Sequence, residues 1–418
     1  MVFLIALIVT VYTIKKLNSS EITIQRDKNT AAVLAQAKDA LIGWSVAHPK
    51  YPGMFPFPDR ANDGNYDGNS DCTNAAPAFG LLLGKLPHVA QTPPCVGDND
   101  YGVFADLLDG SGERLWYAVS RNLVRTSVAP GGLIINPAIA NSPTVPWLIV
   151  RDKNGQIISN RVAAVVIAPG SPVGAQDRSG GLAQANAYLD NITIAGVTFS
   201  NADYAIANED FIIGDDMRHI SAAHALYLQP YQYNDKLIYI TIDELMLALN
   251  KRAVREVANR LSAYYLASSV NPADRFYPYA AVLGDVNNVC DEGALQGGLP
   301  INNILSACSH PKNGLNNLPV WFTESRWQDF MYYVISNDCT FSVPGCGLGG
   351  IQVGAQANVD ALLISTGAII PSLGQVRPSP NPANYLDSIE NADTDFVFDA
   401  SSTLLTNNYN DQMLIVAP

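Results

Sequence analysis

Residues 1–49 read MVFLIALIVTVYTIKKLNSSEITIQRDKNTAAVLAQAKDALIGWSVAHP, and this stretch decides how the rest of the chain is read. Met1 to Ile14 is almost purely apolar, the remainder is rich in helix formers, and no proline interrupts before Pro49. Pro49 is a natural stop, because its ring and its missing N–H disfavour helix at that point. One helix over the whole stretch would be a rod of about 73 Å at 1.5 Å per residue, longer than a core of this size needs. The apolar part alone spans about 21 Å as helix, short of the roughly 30 Å hydrocarbon core of a bilayer. It has no basic n-region and no small-x-small cleavage site before Lys15-Lys16, so it fits a cleavable secretory signal poorly. Burial among copies of itself would remove it from water, as would a detergent-held anchor.

Asn18, Ser19 and Ser20 are poor residues for a helix interior, which predicts local unwinding over 15–22. Beyond it Ile24, Ala31, Leu34, Ala35, Ala37, Leu41 and Ile42 lay an apolar stripe at helical spacing, a face able to lie on a globular domain.

The chain has 418 residues, enough for two or three domains. Only 15% are charged, which suits a folded protein, and 31 Gly with 26 Pro predict turn-rich connections. The net charge of −13 offers no basic footprint, so no nucleic-acid partner is expected. The cysteines are Cys72, Cys95, Cys290, Cys308, Cys339 and Cys346. An even number in loops, without a CxxC pair, reads as disulfides in an oxidising compartment, with buried thiols of a cytosolic protein as the alternative. Neighbours are expected to pair: Cys72–Cys95, Cys290–Cys308 and Cys339–Cys346.

From Asp63 the loop reads D-x-N-x-D-G-x-x-D, placing Asp63, Asn65, Asp67 and Asp71 at ligand positions of an EF-hand-like loop and Gly68 at its turn. Such oxygens suit Ca2+. Asn74 stands where the closing Glu belongs and no helix pair flanks the loop, so a true EF-hand is excluded, and a plain Asx-turn loop pinned by Cys72 is the alternative.

Trp147 to Arg151 and Gln156 to Ser159 flank Lys153-Asn154-Gly155, a hairpin signal. Val162 to Ala168 reads as a buried strand, and Thr241-Ile-Asp-Glu244 is a capping box opening a helix over 242–268. The chain then echoes itself in order. LWYAVS (115–120) resembles MYYVIS (331–336), and Val162 to Gly170 matches Val359 to Gly367. Tyr188-Leu-Asp190 matches Tyr385-Leu-Asp387, and Tyr233-Asn-Asp235 matches Tyr409-Asn-Asp411. Collinearity reads as a tandem duplication; chance likeness of short apolar strands is the alternative.

Catalytic pattern is sparse. His48, His88, His219, His224 and His310 form no H-E-x-x-H, and there is no G-x-S-x-G elbow, P-loop or dinucleotide fingerprint. Asp109-Gly-Ser-Gly112 reads as a turn. Asp215/Asp216 and Asp393, Asp395 and Asp399 could serve a paired-carboxylate hydrolase, but read as exposed acidic loops. No enzymatic activity is expected.

The apolar helix running into an amphipathic one and then a cysteine-bearing β-domain resembles the type IV pilin and pseudopilin superfamily. The segments AKDALIGWSVAHPKYPGMFPFPD (37–59), GERLWYAVSRN (112–122) and NPANYLD (381–387) are similar to large prepilin-like proteins of Gram-negative bacteria. The resemblance implies an inner-membrane precursor, trimmed by a prepilin peptidase so that Met1 begins the mature chain, and handled by pilus assembly machinery. Met1, Val2, Phe3, Leu4, Ile5, Leu7, Ile8 and Val11 would then pack between copies in a helical filament. Pilins carry glutamate at the fifth mature position, where it meets a neighbour's terminal ammonium. Here that residue is Ile5, and burying the ammonium without a partner costs free energy. The tip subunit of a type II secretion pseudopilus also lacks that glutamate.

The expected fold is α+β. A long N-terminal helix (1–49; filament core 1–23, the rest packed on the first module) precedes two tandem pilin-like modules (50–241 and 242–418), each a helix packed on an antiparallel sheet. The expected function is the structural subunit of an extracellular type IV pilus-like filament at the cell surface. The alternatives are a tip pseudopilin and a membrane-anchored periplasmic carbohydrate-binding protein or hydrolase.

Overall fold

The computed structural model describes residues 2–61, 64–72, 78–89, 105–124, 134–139, 146–180, 183–205, 209–214, 233–301, 315, 317–400 and 409–416, with backbone alone for 2–20 and 79. The chain divides into two compact units, one of Met1–Leu133 with Asn141–Leu245, the other of Ile134–Ala140 with Met246–Pro418.

The first unit opens with helix α1 (Val2–Ala47). Its backbone runs unbroken through 15–22, against the expected unwinding. The propensity penalties of Asn and Ser are each only about 0.5 kcal/mol, too small to open a helix of this length. Of the expected stripe Leu34, Ala37 and Leu41 are buried, joined by Trp44, whereas Ile24, Ala31 and Ala35 are exposed; α1 lies against strands β4 and β8, and each large apolar side chain removed from water contributes about 1.5–3 kcal/mol. The strands are β1 (Leu83–Lys85), β2 (Trp116–Val119), β3 (Leu148–Arg151), β4 (Ile157–Ala168), β5 (Asn191–Ile194), β6 (Val197–Ser200), β7 (Asp210–Ile212) and β8 (Lys236–Thr241). Their sheet follows β1-β2-β4-β3-β7, with β8 also on β4, while β5 and β6 form a separate hairpin. The β3–β4 turn is the expected one, with Gly155 at φ 79° and its N–H donated to Asp152 O. Buried Val162 to Ala168 forms the centre of the sheet.

Thr241 caps helix α2 (Ile242–Ser268), its Oγ1 accepting from Glu244 N at 3.1 Å while Glu244 accepts from Thr241 N at 2.9 Å. The second unit continues with β9 (Gln296–Gly298), α3 (Val320–Glu324), β10 (Met331–Ile335), β11 (Ile351–Val353), β12 (Gln356–Val359), β13 (Ala361–Ser365), α4 (Ile389–Ala392), β14 (Val397–Phe398) and β15 (Gln412–Ile415). One sheet is β9-β10-β13-β15 and another β12-β11-β14. Tyr332, Val334, Leu362 and Ile364 from the first pack with Ile351, Val359 and Phe398 from the second.

The expected layout of a helix followed by two pilin-like modules on antiparallel sheets is therefore corrected. Strand pairing is mixed in both units, because β3 pairs parallel with β7 and β11 parallel with β14. Four α-helices are found among the described residues, two of them of only five and four residues, and most of the described chain beyond α1 is strand and coil. What repeats is smaller than a module. Each unit contains the same antiparallel path, β1-β2-β4-β8 in the first and β9-β10-β13-β15 in the second, with matching register: Tyr117 faces Val166 and Gly84, and Tyr333 faces Leu363 and Gly297. Tyr117 donates to Pro56 O and Tyr333 to Pro278 O, so the same buttress recurs as well.

Candidate functional site

Both echoed tripeptides meet at a buried polar cluster, once in each unit. In the first, Arg178 follows the β4 strand end and donates to Gly170 O (2.7 Å), Ala187 O (3.1 Å) and Tyr188 O (3.1 Å), stands over the Tyr188 ring and pairs with Glu113. Gln176 donates to Asp190 Oδ1 at 2.8 Å, Asp190 Oδ2 accepts from Asn234 N and Asp235 N, and Asp190 N donates to Asp235 Oδ2 at 2.8 Å. In the second, Arg377 donates to Gly367 O (2.8 Å), Asn384 O (2.7 Å) and Tyr385 O (2.9 Å) and stands over the Tyr385 ring. Gln375 donates to Asp387 Oδ1 at 2.9 Å, and Asp387 N donates to Asp411 Oδ2 at 2.9 Å. Burial pushes all four carboxyls up, and in each pair the neighbouring carboxylate pushes the deeper one, Asp235 or Asp411, up further. Oδ1 of Asp235 and of Asp411 is buried without a hydrogen-bond partner, as expected if each pair keeps a proton. The cluster staples the loop after the β4 or β13 strand to the start of β8 or β15. The Gln-x-Arg member escapes sequence comparison because Arg178 precedes its tyrosine by ten residues and Arg377 by eight.

Beside this cluster the units differ. In the first, Lys85 at the end of β1 reaches over the Tyr66 and Tyr188 rings, 4.3 and 4.9 Å from their centroids. Burial lowers its pKa, and so does Arg114, while Asp59, Glu113 and Asp106 oppose the shift. Arg114 donates to Asp59 Oδ2 at 2.9 Å and to Tyr66 O at 3.0 Å, and pairs with Asp106. Burial lifts the fully enclosed Asp59 carboxyl to about 6 in spite of Arg114. In the second unit the matching register positions hold Ala281 for Asp59 and Gly298 for Lys85, and Phe330 stands for Arg114: Phe330 is two residues before Tyr332, which faces Gly298, as Arg114 is two before Trp116, which faces Lys85. There a cavity of about 370 Å³ opens, with Gly298, Phe330, Tyr385 and Leu283 in its wall. A cavity of about 490 Å³ in the first unit is bordered by Tyr66, Trp116 and Tyr204.

The loop read as a calcium site holds Gly68 at φ 91°, where any Cβ would strike the His88 ring, so glycine is required there. Asp67 accepts from Asn69 N and Nδ2, and Asp71 Oδ2 accepts from Arg60 N. Asn65 lies in the same loop, and Asp63 falls outside the described residues. No group of three or more His, Cys, Asp or Glu placed to hold a metal is found among the described residues. Cys339 and Cys346 are joined by a disulfide, and Cys72 and Cys290 are also disulfide-bonded; Cys95 and Cys308, their expected partners, lie outside the described residues. Asp393, Asp395 and Asp399 accept from Asp395 N, Val397 N and Ser388 Oγ, a set of local turns. Asp215, Asp216, His219, His224 and His310 lie outside the described residues. His48 accepts from Tyr51 N, and His88 Nδ1 stands 3.0 Å from Arg114 Nη2. Of the assembly residues, Val2, Phe3, Leu4, Ile5, Leu7, Ile8 and Val11 are on α1 with backbone alone described, and Met1 lies outside the described residues. Among the described residues no helix is long and apolar enough to cross a membrane.

Asp109-Gly-Ser-Gly112 does more than turn the chain. Asp109 accepts from Ser111 N, Glu113 N and Gly170 N, and Gly110 N donates to Thr30 Oγ1 of α1 at 2.9 Å. A Cβ on Gly110 would run into the Arg26 backbone, so only glycine permits this approach.

No known family, curated protein or solved structure matches the chain.

Proposed function

We propose that the chain is the structural subunit of an extracellular filament that polymerises through α1. The supporting observation is that the helical backbone of α1 begins well before burial begins along its described side chains. Thr30 is the first buried residue along its described side chains, and Ile22 and Ile24 before it are 55% and 51% exposed. The helical backbone nevertheless extends to Val2, about 42 Å beyond Thr30 at 1.5 Å per residue, and its far end carries VFLIALIVTVYTI. Apolar side chains of that kind gain about 1.5–3 kcal/mol each when neighbouring copies cover them. The disulfides support export to an oxidising compartment. The resemblance of the chain to type IV pilins and pseudopilins supports the same reading. The partners on that reading are copies of itself in the filament, and the inner membrane, a prepilin peptidase and pilus-type machinery before assembly.

A second reading is the tip subunit of a secretion pseudopilus. Quantifying copies per cell separates them: a dominant surface protein for the first, a handful for the second. Removing Met1 to Ile14 leaves the packed part of α1 intact, and sedimentation should then show a folded monomer. Fibres from the shortened chain would sink the proposal.

A further inference from the structure

The two copies of the four-strand path provide an internal comparison. In the first unit an ammonium group, that of Lys85, stands over Tyr188 beside the Arg178 guanidinium. In the second unit Tyr385 and Arg377 occupy the equivalent places, but the lysine position is Gly298, and the cavity opens there. The cavity wall supplies what such a group needs. Asn288 and Gln328, 4% and 8% exposed, border it, and the buried carbonyl oxygens of both side chains lack a hydrogen-bond partner. Two buried acceptors without donors are costly, and N–H donors from a ligand would satisfy them. The charges also leave room for a cation. Arg377 has Asp387 and Asp411 nearby, Arg326 pairs with Asp329 at 2.7 Å, and Asp285 accepts from the backbone N–H groups of Asn287 and Val289. Leu283, Val286 and Phe330 offer apolar surface for an alkyl stem.

The geometry points to a binding site for a primary alkylammonium group in the second unit's cavity, the ligand standing where the Lys85 side chain stands in the first unit. Cation–π attraction to Tyr385, hydrogen bonds to Asn288 Oδ1 and Gln328 Oε1, and apolar cover for the stem are the recognising forces. A free alkylamine and the lysine side chain of a polypeptide share this chemistry.

The test titrates the full-length, disulfide-intact chain with n-butylammonium and, in a second arm, Nα-acetyl-lysine methylamide, followed by ligand-observed NMR. A Cβ at Gly298 meets Val282 O at 3.4 Å and Asn288 Nδ2 at 3.6 Å, ordinary contacts, so Gly298→Lys can place its own ammonium in the cavity. Saturable binding is expected, weakened at least tenfold by Gly298→Lys and by Gln328→Leu. Tighter binding of the lysine amide identifies a polypeptide ligand, and tighter binding of n-butylammonium a free amine. Absence of saturable binding, equal binding of n-butanol, or binding that survives both Gly298→Lys and Gln328→Leu overturns the site. Gln328→Leu decides alone if the lysine variant does not fold.

Discussion

At Gly110 a single missing Cβ lets a turn touch the backbone of α1. Gly110→Ala should force the two apart and cost about 1–3 kcal/mol, read as a lower denaturant midpoint at unchanged slope. The paired aspartates predict a pH dependence. A carboxyl whose folded pKa is raised above its unfolded value of about 3.9 binds more protons folded than unfolded between the two, so stability falls as pH rises through that window. For Asp59 the window runs from the unfolded value to about 6; for Asp235 and Asp411 it begins at the same place and extends upward. Asn in place of the deeper member supplies a permanently neutral partner of the same shape. The Asp235→Asn, Asp411→Asn double variant should therefore lose less stability between pH 4 and pH 8 than the parent, measured by urea midpoints. An equal or steeper loss would remove the shared proton from the account.

At the scale of elements, α1 is held by a short apolar face and by polar ties, among them Lys236–Asp27 at 2.7 Å and Lys38–Glu244 at 2.6 Å. The ties are partly exposed and contribute little, so the apolar face decides. Leu41, fully buried, should cost about 2–5 kcal/mol on change to Ala, whereas Ile24→Ala, at an exposed site, should leave the melting temperature in place. Arg377 joins Gly367, Gln375, Asn384 and Tyr385 through one planar fork. A lysine has three donors and no fork, so Arg377→Lys should destabilise by about 2–4 kcal/mol, and calorimetry of the full chain checks it. Elements with a local signal are legible in the sequence: the Thr241–Glu244 cap, the Lys153-Asn154-Gly155 hairpin and the apolar Val162–Ala168 strand. Strands β7 and β14 have three and two residues, too few for a period, and their parallel pairing is set by tertiary neighbours. That is why the sheets read as antiparallel from sequence and fold as mixed. The exchange of Lys85 for Gly298 is equally invisible there, because a lone lysine and a lone glycine correspond only once strand register is known.

For the whole molecule, the division of labour follows from where burial stops along α1. Thr30, Leu34, Ala37, Leu41 and Trp44 of α1 are buried in the first unit, and the apolar segment at the other end of the same helix is the part assigned to assembly. The most direct test is negative-stain electron microscopy of the full-length chain after detergent removal, beside the chain lacking Met1 to Ile14. Helical filaments from the full chain and dispersed particles from the shortened one are predicted. Dispersed particles from both, or the same filaments from both, would contradict assembly through α1.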